Sequence, residues 1–201
     1  MTQHEPNPAA VLFDLDGTLT RPYFDFDNIR REIGLPTEPR TPILEALEHM
    51  GQEQRRRAED ILERHERRAA DESELQPGVH EVLAAIRARD IPIGLLTRNS
   101  RICVDIVLAK HGLQFDAIHT REDGPPKPSP DPVLTLCHEL SACPSCAWVV
   151  GDYLFDIQSG QAAGATTVLL VNHQQPTFEH HAEHTIHALT ELLPLLNINT
   201  K

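Results

Sequence analysis

Aromatic residues are scarce, at 4% of the chain, so a core must be built mainly from Leu, Ile, Val and Ala. Positive charge is also short: 18 Lys and Arg stand against 30 Asp and Glu, a net charge of −12. A chain this acidic has no bulk attraction for a phosphate backbone, which argues against nucleic-acid partners. Any anionic substrate must then be held by local positive groups, and each well-placed Lys, Arg or backbone N–H gains weight. No apolar run approaches the roughly 20 residues that a membrane-spanning helix needs. The opening residues MTQHEPNP lack the basic start and apolar stretch of a secretion signal. The expectation is a cytoplasmic protein with no membrane partner. Cysteine is limited to four residues, for which free thiols are expected. Cys137, Cys143 and Cys146 lack the second CxxC pair of a zinc site, so zinc is disfavoured.

What is present is an alternation of short apolar runs and helical patterns. Residues 9–13 (AAVLF), 91–97 (IPIGLLT), 147–151 (AWVVG) and 165–171 (ATTVLLV) suit strands buried on both faces of a parallel sheet. Between them, residues 79–89 place Val79, Val82, Leu83 and Ile86 on one helical face. Residues 102–111 do the same with Ile102, Ile106, Leu108 and Ala109, before a stop at Gly112. A third helix spans 130–140 after Ser129, a candidate cap. Residues 184–188 read as a final edge strand before a helix over 190–196. His184 and His187 then cannot form a helical metal pair, and with His173, His180 and His181 they read as surface histidines.

This order predicts an α/β fold: a Rossmann-like parallel sheet with helices on both faces. Ligands of such sheets collect beyond the carboxyl ends of the strands. Residues 21–76 differ, reading as two or three helices (26–33, 42–50 and a heavily charged 52–71) with no strand. They are expected to form a small helical cap, a lid over a core made of residues 1–20 and 77–201.

The polar residues of interest follow the apolar runs. Asp14 and Asp16, one residue apart in DLDGT, can bind a hard cation and meet a substrate. Asp14 can attack phosphorus, and Asp16 can exchange protons with the leaving oxygen and with water. A solvated acidic turn is the plain alternative. Thr97, followed by Arg98 and Asn99, opens a helix and makes either an anion cradle or an ordinary cap. Lys127, in a proline-bounded loop, can hold a phosphate oxygen or simply face water. Asp152 and Asp156 end the third run as candidate metal ligands or helix caps, Asp156 also as a partner for Lys127.

Together these features resemble the four motifs of the haloacid dehalogenase-like hydrolase superfamily: Asp14–Thr18, then Thr97, then Lys127, then Gly151-Asp152 with Asp156. The helical insertion after the first motif is similar to that of the phosphoglycolate phosphatase-like and β-phosphoglucomutase-like branch. The resemblance implies an Mg²⁺-dependent phosphatase acting on a small phosphorylated metabolite, phosphoglycolate or a sugar phosphate, through an aspartyl phosphate. It implies Asp14 as nucleophile, Asp16 as acid/base, and Thr97, Arg98, Asn99 and Lys127 around the phosphoryl group. Asp14, Asp16, Asp152 and Asp156 would meet the metal. Asp16 departs from true dehalogenases, which lack an aspartate there. A phosphomutase is the alternative activity, and a non-catalytic phosphate binder a further one. Arg21, Tyr23 and Arg40 are candidate specificity residues from the cap or its hinge.

Overall fold

The computed structural model describes residues 8–171 and 178–198; the expectations placed on residues 1–7 and on His173 lie outside them. The strands are β1 (Ala10–Phe13), β2 (Ile93–Leu96), β3 (Ala117–His119), β4 (Ala147–Gly151), β5 (Thr166–Leu170) and β6 (His184–Ile186). They form one sheet in the order β3-β2-β1-β4-β5-β6, with every pairing parallel. The helices are α1 (Phe26–Ile33), α2 (Ile43–Glu48), α3 (Gln52–Glu72), α4 (Val79–Arg87), α5 (Arg101–His111), α6 (Asp131–Glu139), α7 (Leu154–Ala163) and α8 (Leu192–Leu195).

The pleat explains why β1 is apolar at every position. Val11 and Phe13 enter the cluster formed with α4, α5 and α8, while Ala10 and Leu12 face α6 on the other side. The same alternation sends Val150 to the first cluster and Val149 to the second. The cap helices α1–α3 close around a separate cluster of Ile29, Ile33, Ile43, Leu47 and Leu62. The last turns of α3 return to the core, where α3 packs on α5 and Ala70 joins the main cluster.

Three local expectations are corrected. On α5 the fully buried residues are Cys103, Val104 and Val107; of the expected face, Ile106 and Leu108 pack half-buried against the same cluster, while Ile102 is 57% exposed. This helix carries two overlapping apolar stripes, and packing against the sheet, not periodicity, decides which positions are buried completely. β3 has only three residues, one of them histidine, so its sequence shows no apolar run; its pairing with β2 makes it a strand. The terminal segment is a 3₁₀ turn (Leu189–Glu191) followed by the short α8, not one helix over 190–196. Pro194, which lacks an amide hydrogen, sits in α8. The final edge strand is present as β6, ending at Ile186.

Chain order reverses between β1 and β4: β2 and β3 extend the sheet one way, β5 and β6 the other. The crevice beyond such a reversal is where open α/β sheets place their ligands. Asp14 and Asp152 are the residues that leave β1 and β4 at this point. No helix among the described residues is long and apolar enough to cross a membrane.

Candidate active site

The Asp14 N–H donates to the Val150 carbonyl at 2.9 Å, which extends the β1–β4 ladder by one bond and anchors the first carboxylate against the neighbouring strand. Gly17 then turns the chain at φ +93°, and a Cβ there would come 2.1 Å from Asp152 Oδ2. Glycine is therefore required both for the backbone and for the room Asp152 occupies. Gly151 plays the same spatial part for Asp156, whose Cβ would lie 2.2 Å from a Cβ at 151.

Lys127 is the hub. Its Nζ donates to Asp14 Oδ1 at 2.5 Å, to Asp156 Oδ1 at 2.5 Å and to the Leu96 carbonyl at 3.1 Å. It is 3% exposed. Its two carboxylate partners hold its pKa above the ordinary lysine range against the opposing pull of burial. Asp156 uses its other oxygen to accept from the Tyr153 N–H at 3.0 Å, closing a capping box at the start of α7. Asp156 thus sits where it orients Lys127, with both oxygens engaged.

Asp14, Asp152 and Asp156 bring carboxylate oxygens within 4.8 Å of one another. One ammonium cannot balance three carboxylates with Asp16 beside them. Burial pushes the Asp14 carboxyl well above its ordinary range; Lys127 opposes that and Asp156 and Asp16 add to it. Burial, then Asp14 and Asp156, push Asp152 up in the same way. A dense set of hard oxygen donors with excess negative charge fits a divalent cation of the magnesium type. Asp152, which accepts from the Thr18 hydroxyl at 3.5 Å, and Asp14 beside it could hold such an ion.

Asp16 is fixed by Asn99, whose Nδ2 donates to Asp16 Oδ2 at 3.0 Å. Burial raises Asp16 to about 6, opposed by the Asn99 hydrogen bond and by Lys127. Asn99 is placed in turn by its own N–H on Thr97 Oγ1 at 3.1 Å and by its Oδ1 on the Ser100 N–H at 2.8 Å. The structure therefore joins Asn99 to the acid/base candidate. Thr97 lines the cavity with Lys127.

Arg98 lies in the cavity wall and reaches across to the cap. Its guanidinium pairs with Glu45 of α2 at 2.7 and 3.0 Å, donates to the Lys127 carbonyl, and lies 4.7 Å from the Phe155 ring centroid. These bonds tie cap to core, and Arg98 also lines the cavity. Of the three cap candidates, only Arg40 lines the cavity, held by Asp27 at 2.8 Å. Arg21 faces Glu74, and Tyr23 donates to Glu72; neither lines the cavity, because both are drawn to carboxylates around the end of α3.

The cavity measures 330 Å³ and runs from Asp14, Asp16, Lys127 and Asp152 to the cap. Two of its cap residues escape a reading by composition. Glu66 of α3 is 5% exposed, paired with Arg121 from the loop after β3, and left with Oε2 unpartnered. Burial raises it to about 7, against the pull of Arg121. A sequence signal exists: Glu66 falls on the helical stripe of Ala58, Leu62, Ala69 and Ala70, the buried side of α3. Arg30 likewise sits beside Ile29 and Ile33 on the buried side of α1.

Comparison with known proteins agrees with this architecture. Residues 23–170 match the family model described as haloacid dehalogenase-like hydrolase. An uncharacterized hydrolase of Saccharomyces cerevisiae is 35% identical over 170 residues, covering 82% of this chain and 78% of its own. A phosphoglycolate phosphatase of Chromobacterium violaceum is 27% identical over 212 residues, covering 93% and 96%. Among solved structures, a hydrolase from Pseudomonas syringae shares the fold with a TM-score of 0.79 at 20% identity, over 96% of this chain and 99% of that one.

Proposed function

The chain belongs to the haloacid dehalogenase-like hydrolase family, and on that premise we propose that its cavity hydrolyses small phosphomonoesters in a magnesium-dependent reaction. The observation that carries the reading is Asp14, held by Lys127, in one cavity with Asp16, Thr97 and Asp152 at the reversal of strand order.

Lys127 holds Asp14 Oδ1, which leaves Oδ2 to attack phosphorus. The bond from phosphorus to the leaving oxygen breaks as Asp16 gives that oxygen its proton. A water molecule then gives a proton to Asp16 and attacks the aspartyl phosphate. The Asp14–phosphorus bond breaks, inorganic phosphate leaves and both carboxyls are restored. A carboxyl raised to about 6 and aimed by Asn99 suits this two-way proton traffic. Asp14 and Asp152, with the Asp16 backbone carbonyl, would hold Mg²⁺, which when bound offsets the negative charge that a phosphoryl group meets here. Asp156, committed to Lys127 and the Tyr153 N–H, acts as a positioning residue.

Phosphoglycolate and sugar phosphates are the first substrates to test, supported by the phosphoglycolate phosphatase among the relatives. The experiment is phosphate release from a phosphomonoester panel with Mg²⁺ and after chelation. Release that needs Mg²⁺ and disappears in Asp14→Asn supports the reading, and no release from any panel member overturns it. A phosphorylated isomer formed without free phosphate would replace it with a phosphomutase.

A further inference from the structure

The cavity wall contains four cationic side chains: Arg30, Arg40, Arg98 and Lys127. Three have carboxylate partners: Arg40 has Asp27 and Glu38, Arg98 has Glu45, and Lys127 has Asp14 and Asp156. Arg30 has none among the described residues. It is only 8% exposed, and its donors reach two neutral carbonyls, Phe26 at 3.4 Å and Thr41 at 3.1 Å. Its Nε is buried without any partner. Asp27, one turn earlier on α1, gives its Oδ2 to Arg40 and makes no ion pair with Arg30, its own Oδ1 being buried without a partner. Two carbonyls do not neutralise a buried guanidinium, and a charge taken out of water without a counter-charge is expensive. If Arg30 served only to tie α1 to Thr41, an uncharged donor would do so at lower cost.

We infer that Arg30 is a specificity residue that binds a second anionic group, carried by the leaving group of the substrate. The inference rests on the phosphatase reading for the position of the first phosphate, at Lys127 and Thr97. The second anion then lies at the cap side of the same cavity, where Arg30 provides its counter-charge. A carboxylate and a phosphate both match the guanidinium fork. A volume of 330 Å³ limits the leaving group to a small skeleton. On a chain of net charge −12, an extra negative charge on a ligand is otherwise a penalty, so a preference for it needs a local cation.

Three ligands share a carbon skeleton and differ only at the far end: glycerol phosphate (hydroxymethyl), phosphoglycerate (carboxylate) and glycerol bisphosphate (phosphate). Their binding is measured by calorimetry, with Mg²⁺, on the Asp14→Asn chain, where turnover is blocked. One or both of the ligands with an anionic far end are expected to bind at least about tenfold tighter than glycerol phosphate, the ratio identifying which anion fits. Added to Asp14→Asn, Arg30→Gln is expected to abolish that advantage and Arg30→Lys to keep part of it. Equal affinity for all three, or an advantage that survives Arg30→Gln, overturns the inference. If Arg30→Gln does not fold, as circular dichroism would show, the parent comparison and Arg30→Lys still decide. The anionic preference without phosphate release by the unmodified chain would support this site and overturn the hydrolase reading alone.

Discussion

Arg98 Nη2 lies 2.7 Å from Glu45 Oε2, and its Nη1 lies 3.0 Å from Oε1. The pair joins the residue after the second motif to a cap helix, and the same guanidinium donates to the carbonyl of Lys127. One side chain thereby bonds both the cap and the loop that carries Lys127. Both members are partly sheltered, at 20% and 35% side-chain exposure. A double-mutant cycle of Arg98→Ala and Glu45→Ala should show a coupling of about 1 kcal/mol in unfolding free energy. The single Arg98→Ala change should also raise KM, because the cap loses its tie to the core; an unchanged KM would disconnect the pair from the site.

Lys127→Met removes the ammonium between Asp14 and Asp156. Loss of one partner of a buried ion pair costs about 3 kcal/mol, measurable by denaturant unfolding. Phosphate release should fall to background, since Asp14 loses the bond that orients it. Asp16→Asn should lower kcat by about 10² to 10⁴, the range of a general acid–base contribution.

Gly17→Ala should damage both stability and metal response. The added methyl would meet Asp152 Oδ2 at 2.1 Å, and the backbone sits at φ +93°. A loss of more than about 1 kcal/mol is expected from the backbone alone. A Mg²⁺ titration of activity should shift to higher concentration because Asp152 is displaced; an unshifted titration would argue that Asp152 does not meet the metal.

Glu66 provides the pH prediction. Burial raises its carboxyl from the ordinary 4.5 to about 7, so the folded chain holds this proton more tightly than the unfolded chain. Its contribution to stability is therefore full below about pH 4.5 and is lost as pH rises through about 7. Glu66→Gln keeps an acceptor for Arg121 but removes the titration. Over that window, unfolding free energy should fall more steeply in the unmodified chain than in Glu66→Gln. The expected difference is on the order of 2–3 kcal/mol, read from denaturation curves at several pH values. Parallel profiles would sink the assignment.

The sheet was legible because strands buried on both faces leave continuous apolar runs, as in AAVLF before Asp14 and AWVVG before Asp152. β3 was not, because three residues containing His119 become a strand only through their pairing with β2. The first cap helix, expected over 26–33, has those bounds in the structure, where Gly34 closes α1 in a left-handed conformation. The inward face of α5 was not legible, because both of its apolar stripes satisfy helical spacing.

By itself the sequence determined the α/β order and the carboxylates that leave the strand ends, since both follow from covalent neighbours and short-range periodicity. Tertiary structure alone decided the partners: Asp156 with Lys127, Asn99 with Asp16, and Arg98 with Glu45. It also left Arg30 as a buried charge facing the cavity with no carboxylate partner among the described residues. Those outcomes depend on which polar groups burial brings within about 3 Å of each other, across separations of 29 to 83 residues in the named pairs, and no local pattern encodes that.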